Sequence, residues 1–151
     1  MLYRASRDGW ETQSFHSRCD DHKYTLVIVK TVRGYIFGGY TDRTWAGNAI
    51  WKLSNKSFLF SLRSHAHLPP TKMKVKSGGE GCAIYAFPAF GPVFGGGCDF
   101  YIGRGDHNMK YGYTCLNKTY ELPSGASEDF LTGKTGWENM FELAETEVFE
   151  V

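Results

Sequence analysis

The sequence has no long run of apolar residues. No stretch approaches the ~20 apolar residues that a membrane-spanning helix requires. The first segment, Met1 to Asp8, also lacks the apolar core of a secretory signal peptide. We therefore expect a cytoplasmic protein that does not insert directly into a membrane.

The sequence also has no surplus of charge of either sign. It carries 17 basic and 16 acidic side chains, for a formal net charge of +1. Because binding to the phosphate backbone of nucleic acids needs a clear basic surplus, no nucleic-acid partner is expected. The one basic run, Lys72, Lys74 and Lys76, falls on alternate residues, which is typical of a solvated strand face or a protected edge strand.

The motifs of several large enzyme classes are absent. The patterns G-x-S-x-G, C-x-x-C and H-E-x-x-H do not occur in the chain. The glycine run from Gly95 to Gly97 lacks the Lys-Ser/Thr pair and the following helix that a phosphate loop needs. We therefore expect neither catalytic residues nor a cofactor.

Two histidines have the spacing of metal ligands. His65 and His67 would project from the same face of a strand. A third ligand could come from Asp20, His22 or the pair Asp106–His107. Histidines in a loop before two prolines more commonly bind no metal, so the prediction is that no metal site exists.

The cysteines are few and scattered singly along the chain. They are Cys19, Cys82, Cys98 and Cys115. An even number of cysteines, together with two N-glycosylation sequons, would suit a secreted protein with disulfides. Because the cysteines lie beside core-like residues and no signal peptide precedes them, we expect reduced thiols. A Cys-His dyad remains open, since Cys19 lies near His16 and His22 in the sequence.

Short alternating apolar runs between turn residues dominate what the chain does contain. Its 18 glycines and 9 tyrosines favour many turns and strands. Strands are predicted at 24–30, 35–40, 58–62, 73–75, 82–87, 113–116 and 141–151, with more between 94 and 102. Helices are predicted only at 12–19 and 127–131. The predicted fold is mostly β with minor α, a sandwich of two antiparallel sheets flanked by short helices.

Four charged residues are candidates for binding. Asp99 follows three glycines, and Asp42 and Arg43 follow the Gly38–Gly39 pair. These residues either form a polar network that fixes the ends of the sandwich or present a recognition loop on a rigid scaffold. The network is the favoured interpretation. Arg7 is the fourth candidate.

Several segments together carry a family resemblance. They include residues 2–10 (LYRASRDGW), 34–41 (GYIFGGYT), 58–62 (FLFSL), 91–102 (GPVFGGGCDFYI), 120–123 (YELP) and 145–149 (ETEVF). In order and spacing these segments resemble the TLDc domain family, whose members include the oxidation-resistance proteins. The resemblance covers nearly the whole chain. It implies one TLDc-like domain over residues 1–151, without the helical stretch that normally precedes the segment matching residues 2–4.

The resemblance also implies a function. Family members protect against oxidative stress, and several bind the vacuolar proton-pumping ATPase to regulate its assembly. The family has no agreed catalytic motif, so no catalytic residue follows from it. We predict a non-catalytic intracellular protein-interaction domain, with a vacuolar ATPase subunit as candidate partner. The alternative is a thiol-dependent enzyme that removes oxidants through one of the four cysteines.

Overall fold

Antiparallel strands make up most of the protein. The computed structural model describes residues 1–134 and 140–151. Its strands are β1 (Tyr3–Arg4), β2 (Thr25–Thr31), β3 (Ile36–Thr41), β4 (Ile50–Lys52), β5 (Phe58–Arg63), β6 (Thr71–Lys74), β7 (Ile84–Ala86), β8 (Val93–Phe94), β9 (Phe100–Ile102), β10 (Tyr111–Thr114) and β11 (Phe141–Glu150). Its helices are α1 (Ala5–Asp8), α2 (Thr12–Cys19) and a 3-10 turn at Glu80–Cys82.

The longer helix, α2, begins and ends where the sequence predicts. Phe15 and Cys19 stand one turn apart and are fully buried, so one face of the helix packs on the core. The helix ends where the Asp20 N–H donates to the carbonyl of His16. Within the described ranges, no helix is long and apolar enough to cross a membrane.

The first sheet contains β1, β11, β2, β3, β5 and β6. The predicted hairpin forms between β2 and β3, around a tight turn in which the Gly34 N–H donates to the Thr31 carbonyl. Gly34 has φ of +89°, which a side chain would strain. The hairpin therefore fixes the register of the central strands, in which Val27 and Val29 point into the core.

The second sheet contains β4, β7, β8, β9, β10 and the start of β11. Strand β11 is shared between the sheets, because Phe141 and Glu142 pair with β10 while residues 143–150 pair with β2. A register shift between Leu143 and Glu145 marks the transfer from one partner to the other. The strand order is therefore continuous, β4-β7-β8-β9-β10-β11-β2-β3-β5-β6, with β1 on β11.

The continuous sheet folds over into two packed layers. The ring of Phe37 in β3 lies 5.4 Å from that of Phe100 in β9, although three strands separate β3 from β9 in the sheet order. At Gly39 the layers approach so closely that an added Cβ would lie 2.6 Å from the Phe94 ring. Trp45 also packs on Phe94, and its indole N–H donates to Thr25. These contacts confirm the predicted mostly-β sandwich with short helices.

Several short elements differ from the prediction, including the 3-10 turn at Glu80–Cys82, which takes up the start of the strand predicted at 82–87. Strands β1 and β4 have only two and three residues, too short for their alternation to be read from the sequence. At 127–131 the chain forms turns in place of a helix, with the Phe130 N–H bonded to the Ser127 carbonyl. Such a short segment cannot offset the free energy of helix nucleation by itself.

Candidate functional site

Asp99 is a structural anchor for the loop after β10. Its carboxylate is fully buried and accepts backbone N–H bonds from Lys118, Thr119 and Tyr120 at 2.9–3.1 Å. Burial raises the pKa of the Asp99 carboxyl, while the N–H groups oppose that rise by stabilising the carboxylate. The arrangement agrees with the interpretation of Asp99 as part of a polar network.

The glycine run before Asp99 makes room for this anchor. Gly95 has φ of +93°, and a Cβ there would lie 2.3 Å from the Asp99 Oδ1 atom. At Gly97 an added Cβ would lie 2.5 Å from the side chain of Lys118. The glycines therefore permit a turn closed tightly over a carboxylate, which is the opposite of an open anion-binding loop.

Asp42 and Arg43 belong to a separate network at the end of β3. The Ser54 hydroxyl donates to the Asp42 carboxylate at 2.6 Å, and the Arg43 Nε donates to the Leu53 carbonyl at 2.7 Å. The Ser57 hydroxyl continues the network to Thr41. Both charged residues thus tie the loop before β5 to β3.

Arg7 lies in a third network, at the N-terminal helix. Its guanidinium donates to both carboxylate oxygens of Asp8, at 2.9 and 2.7 Å. That bond lowers the pKa of Asp8 to about 2, and Arg18 adds a weaker attraction from 3.6 Å. The hydrogen bonds of Arg7, of Asp42 with Arg43, and of Asp99 involve different partners, so these networks do not converge on one site. Their role in binding stays a prediction.

The four cysteines are unpaired and differ in surroundings. Cys19 is fully buried, and burial raises the pKa of its thiol to about 12. Cys98 is partly exposed, but burial, followed by the nearby Asp99 charge, also raises the pKa of its thiol. Because the thiolate is the reactive form, both environments lower the reactivity of these two cysteines towards oxidants.

The two histidines near Cys19 have other partners. The His16 ring contacts the Asp20 carboxylate through Nδ1 at 2.6 Å and the Phe90 carbonyl through Nε2 at 2.7 Å. The His22 Nδ1 lies 3.0 Å from the Glu150 carboxylate. Because a carboxylate and a carbonyl can only accept, both His16 nitrogens donate, and the ring has no free lone pair to activate a thiol.

The histidine pair considered for metal binding also has a different environment. The His65 Nδ1 lies 2.9 Å from the Tyr35 hydroxyl, and its ring packs beside Gly133. His67 is exposed with φ of +58°. Across residues 1–134 and 140–151, no cluster of three or more potential metal ligands occurs.

A shallow apolar groove lies on the outer face of the second sheet. We call it the aromatic groove, and its volume is about 240 Å³. It is lined by Trp51, Tyr85, Phe90, Val93, Gly96, Cys98 and Tyr101. Among the lining residues, Trp51 is 42% exposed, which is a large solvent-facing area for so apolar a side chain.

The rings of the aromatic groove support one another. Trp51 and Tyr85 are cross-strand partners with ring centroids 4.3 Å apart. Phe90 packs edge-on against Tyr101 at 5.3 Å, and Tyr101 lies 4.9 Å from Tyr113. Contacts of this kind fix the ring orientations before any partner arrives.

The groove is electrically neutral around its aromatic rings. Burial raises the pKa of the Tyr113 hydroxyl to about 12 and raises that of Tyr101 further. The Cys98 thiol, whose pKa is also raised, adds a neutral sulfur to the wall. Such a surface suits an apolar or aromatic side chain of a partner, since no charge has to be desolvated on binding.

Sequence reasoning did not find the aromatic groove. Four of its residues come from β4, β7, β8 and β9 and meet through the strand register, and the other three come from loops. Both faces of these strands are apolar, as in Phe100–Ile102, so alternation gave no signal for an exposed face. The alternate aromatics Tyr85 and Phe87 were the one available indication.

Comparisons with known proteins identify a matching family and two similar proteins. The family model described as the TLDc domain matches residues 1–151. The mTOR-associated protein MEAK7 of Danio rerio is 29% identical over 62 residues, which cover 41% of this chain and 14% of that protein. The GTPase-activating protein skywalker of Drosophila melanogaster is 23% identical over 153 aligned residues, covering 82% of this chain.

The chain spans less than a quarter of either relative, with 14% of the first and 23% of the second aligned. The family match, in contrast, extends from the first residue to the last, through both sheets and every loop between them. The resemblance carried by the sequence segments is thereby confirmed, and the chain belongs to the TLDc domain family.

Proposed function

We propose that this TLDc domain is a non-catalytic protein-interaction module that binds its partner through the aromatic groove. The observation that carries the proposal is the preformed set of rings, among which Trp51 is 42% exposed. Exposed tryptophan and tyrosine in a fixed arrangement are typical centres of protein interfaces. The names of the relatives, one associated with mTOR and one GTPase-activating, agree with a regulatory role through protein contacts.

The candidate partner is a subunit of the vacuolar proton-pumping ATPase, met in the cytoplasm, with protection against oxidative stress as the outcome. This part of the proposal follows from the family. Four unpaired cysteines support a reducing compartment. The uncharged wall of the groove supports an apolar anchor on the partner, more than a charged one.

The test is direct binding to purified cytosolic subunits of the pump, measured by titration calorimetry. The domain should bind one subunit saturably, and Trp51→Ala should weaken binding about tenfold or more, because it removes the exposed anchor. Tyr24→Ala is the matched control, since Tyr24 is another half-exposed aromatic residue, outside the groove.

The outcomes separate the parts of the proposal. If no subunit binds the folded domain, the pump is not its direct partner. If binding occurs but Trp51→Ala and Tyr24→Ala behave alike, the groove is not the binding surface.

The alternative function is thiol-dependent removal of oxidants. The specific observation in its favour is that Cys98 lines the aromatic groove, where a small oxidant can reach it. Its raised pKa opposes the reaction. Peroxide consumption by the purified domain should be negligible and unchanged in Cys98→Ser. Consumption that disappears in this variant would favour the enzyme.

A further inference from the structure

The outer face of the first sheet is a second partly apolar surface, on the side of the sandwich opposite the aromatic groove. Strand register places its side chains in three rows, because neighbours such as Val27 and Leu59 point inward and are buried. The rows are Phe149, Leu26, Tyr40, Phe58 and Lys74, then Glu147, Ile28, Gly38, Phe60 and Lys72, then Glu145, Lys30, Ile36 and Arg63. Arg4 of β1 pairs with Glu147 and extends the second row.

Positive charge dominates this face. It carries five cations and two anions, which are Arg4, Lys30, Arg63, Lys72 and Lys74 against Glu145 and Glu147. The formal net charge of the whole chain is only +1, so an excess of three positive charges here leaves −2 for all other residues. At the rim, Glu121 beside Lys74 and Arg33 in the β2–β3 turn balance each other. The near-neutral composition therefore conceals a one-sided distribution of charge.

The two anions of the face already have partners within the chain. Glu145 and Glu147 share the guanidinium of Arg4, at 3.2 and 3.3 Å, and Glu145 also accepts the backbone N–H of Ser6 at 3.0 Å. Within residues 1–134 and 140–151, the side chains of Lys30 and Arg63 form no hydrogen bond or ion pair. The acids hold β1 and α1 in place, while these cations stay available to a partner.

The cations are spread over the face and do not converge on one point. Lys30 and Arg63 flank Ile36 in the third row, so two strand spacings, ~10 Å, separate their backbones. Lys72 lies one strand further on, and Arg4 lies at the opposite side beyond Glu147. A single phosphate or carboxylate would meet only one of these charges. A plane that carries many anionic groups would meet all of them.

The apolar centre of the face is level and partly exposed. The ring of Phe60 covers Gly38, where an added Cβ would lie 3.0 Å from the ring. The Lys72 ammonium lies over the Phe58 ring at 4.1 Å, and Leu62 is 50% exposed. Aromatic and aliphatic side chains with neighbouring long cations are typical of surfaces that lie at the level of lipid headgroups.

A depression of about 390 Å³ borders the face between β11 and β2. Its lining includes Glu145 and Glu147 as well as Arg4 and Lys30. The two acids would repel an acidic peptide that entered this depression, and they oppose a partner of that kind. The level centre and the dispersed cations fit a flat anionic partner better.

We propose that the outer face of the first sheet binds the surface of a membrane that contains anionic phospholipids. The cations meet the headgroups, the apolar centre rests at headgroup level, and no segment enters the hydrocarbon. Because the attraction of each cation is weak and screened by salt, binding is reversible and falls with ionic strength. The aromatic groove then faces away from the membrane and stays open to a protein partner.

The experiment is cosedimentation of the domain with lipid vesicles. One set of vesicles contains phosphatidylcholine alone, and the other contains about one third phosphatidylserine. The native chain should bind the second set at low salt and leave the first set unbound. Salt at about 0.5 M should release it, because the screening length is then only a few ångströms.

Two sets of variants locate the binding surface. Lys30→Gln combined with Arg63→Gln should weaken binding to the anionic vesicles about tenfold or more. Lys23→Gln combined with Arg104→Gln is the matched control, since it removes one lysine and one arginine from exposed positions outside the face. Glu147→Gln removes an anion from the face and should strengthen binding about threefold or more. Circular dichroism verifies that each variant is folded.

Four results would overturn the proposal. They are a native chain that does not bind anionic vesicles at low salt, equal binding to vesicles of phosphatidylcholine alone, a double variant that binds like its matched control, and a loss of vesicle binding in Trp51→Ala. In the first case, binding of poly-glutamate would assign the face to an acidic protein segment. The aromatic groove is tested with a protein partner and no vesicles, so the two proposals fail separately.

Discussion

The outer faces of the two sheets differ in how charge is arranged around their exposed apolar side chains. Both expose apolar side chains, but the second sheet surrounds Trp51 with neutral rings and a thiol, whereas the first sheet places Glu147 and Lys72 at opposite edges. A neutral surface accepts partners by shape, while separated charges select orientation as well. The comparison teaches that one small domain can expose two apolar surfaces whose charges are arranged differently.

The two faces also differ in the structural elements that hold their side chains in place. The aromatic groove depends on loops, since Cys98 precedes the Asp99 anchor and Phe90 is held by His16. The outer face of the first sheet depends on regular strand pairing across β11, β2, β3, β5 and β6. Changes to loop anchors should therefore alter the groove and spare the first sheet.

The largest effect is expected for Asp99→Ala. Three backbone N–H groups, two buried and one partly buried, would lose their acceptor, and the free energy of unfolding should fall by about 3–5 kcal/mol. Urea unfolding measures the loss, and amide hydrogen exchange should show it first at residues 118–120. Asp106→Ala, which removes an exposed carboxylate, is the control and should change stability little. Equal effects of the two would contradict the anchor.

A smaller effect is expected from the titration of His16. Burial alone would lower the pKa of its imidazole, but the bonds to Asp20 and Phe90 outweigh burial and raise it. A raised pKa in the folded protein stabilises the fold fully below the unfolded value of about 6.5 and loses that contribution as pH rises through the folded value. The free energy of unfolding should therefore fall as the pH rises from 5.5 to 8.5.

Urea unfolding between pH 5.5 and 8.5 would check the His16 prediction. His16→Gln should remove this part of the pH dependence, and binding through the aromatic groove should weaken with rising pH only in the native chain. An unfolding curve in which native and variant chains respond alike to pH would exclude the protonated ring.

The smallest effect is expected for Lys72→Gln, on the other face. It removes the ammonium above the Phe58 ring, and the free energy of unfolding should fall by about 0.5 kcal/mol. Lys74→Gln is the matched control on the same strand and face. Thermal unfolding of the two variants, compared at low and high salt, distinguishes the ring contact from a general charge effect. Identical melting curves would argue against the contact.

The sequence pattern predicted those elements whose residues interact with near neighbours along the chain. Helix α2 follows from Phe15 and Cys19 at one-turn spacing, and the β2–β3 hairpin follows from alternation around Gly34. Strand β4 could not be read because Trp51 gains its partner Tyr85 only through pairing with a distant segment. The same long-range pairing creates both exposed apolar faces, so neither was visible in the sequence.

The candidate residues show the same limit. Glycines before Asp99 correctly indicated a crowded backbone, and the carboxylate does lie in a polar network. Asp42, Arg43 and Asp99 lie just beyond strands, and a recognition loop was the alternative to a polar network; in the structure Asp42 and Asp99 bond to different partners. A charged residue after a strand can be recognised in the local sequence. Whether several such residues meet in one site depends on how the two sheets pack together.

Strand β11 gives the domain an order of assembly. It completes the second sheet at Phe141, the first sheet from Leu143 onward, and holds β1 where Val148 pairs with Tyr3. During synthesis these residues leave the ribosome after all the strands that they join. Until β11 has been synthesised, the edges of β2 and β10 that pair with it stay exposed. In that period they can bind chaperones or associate incorrectly with other chains.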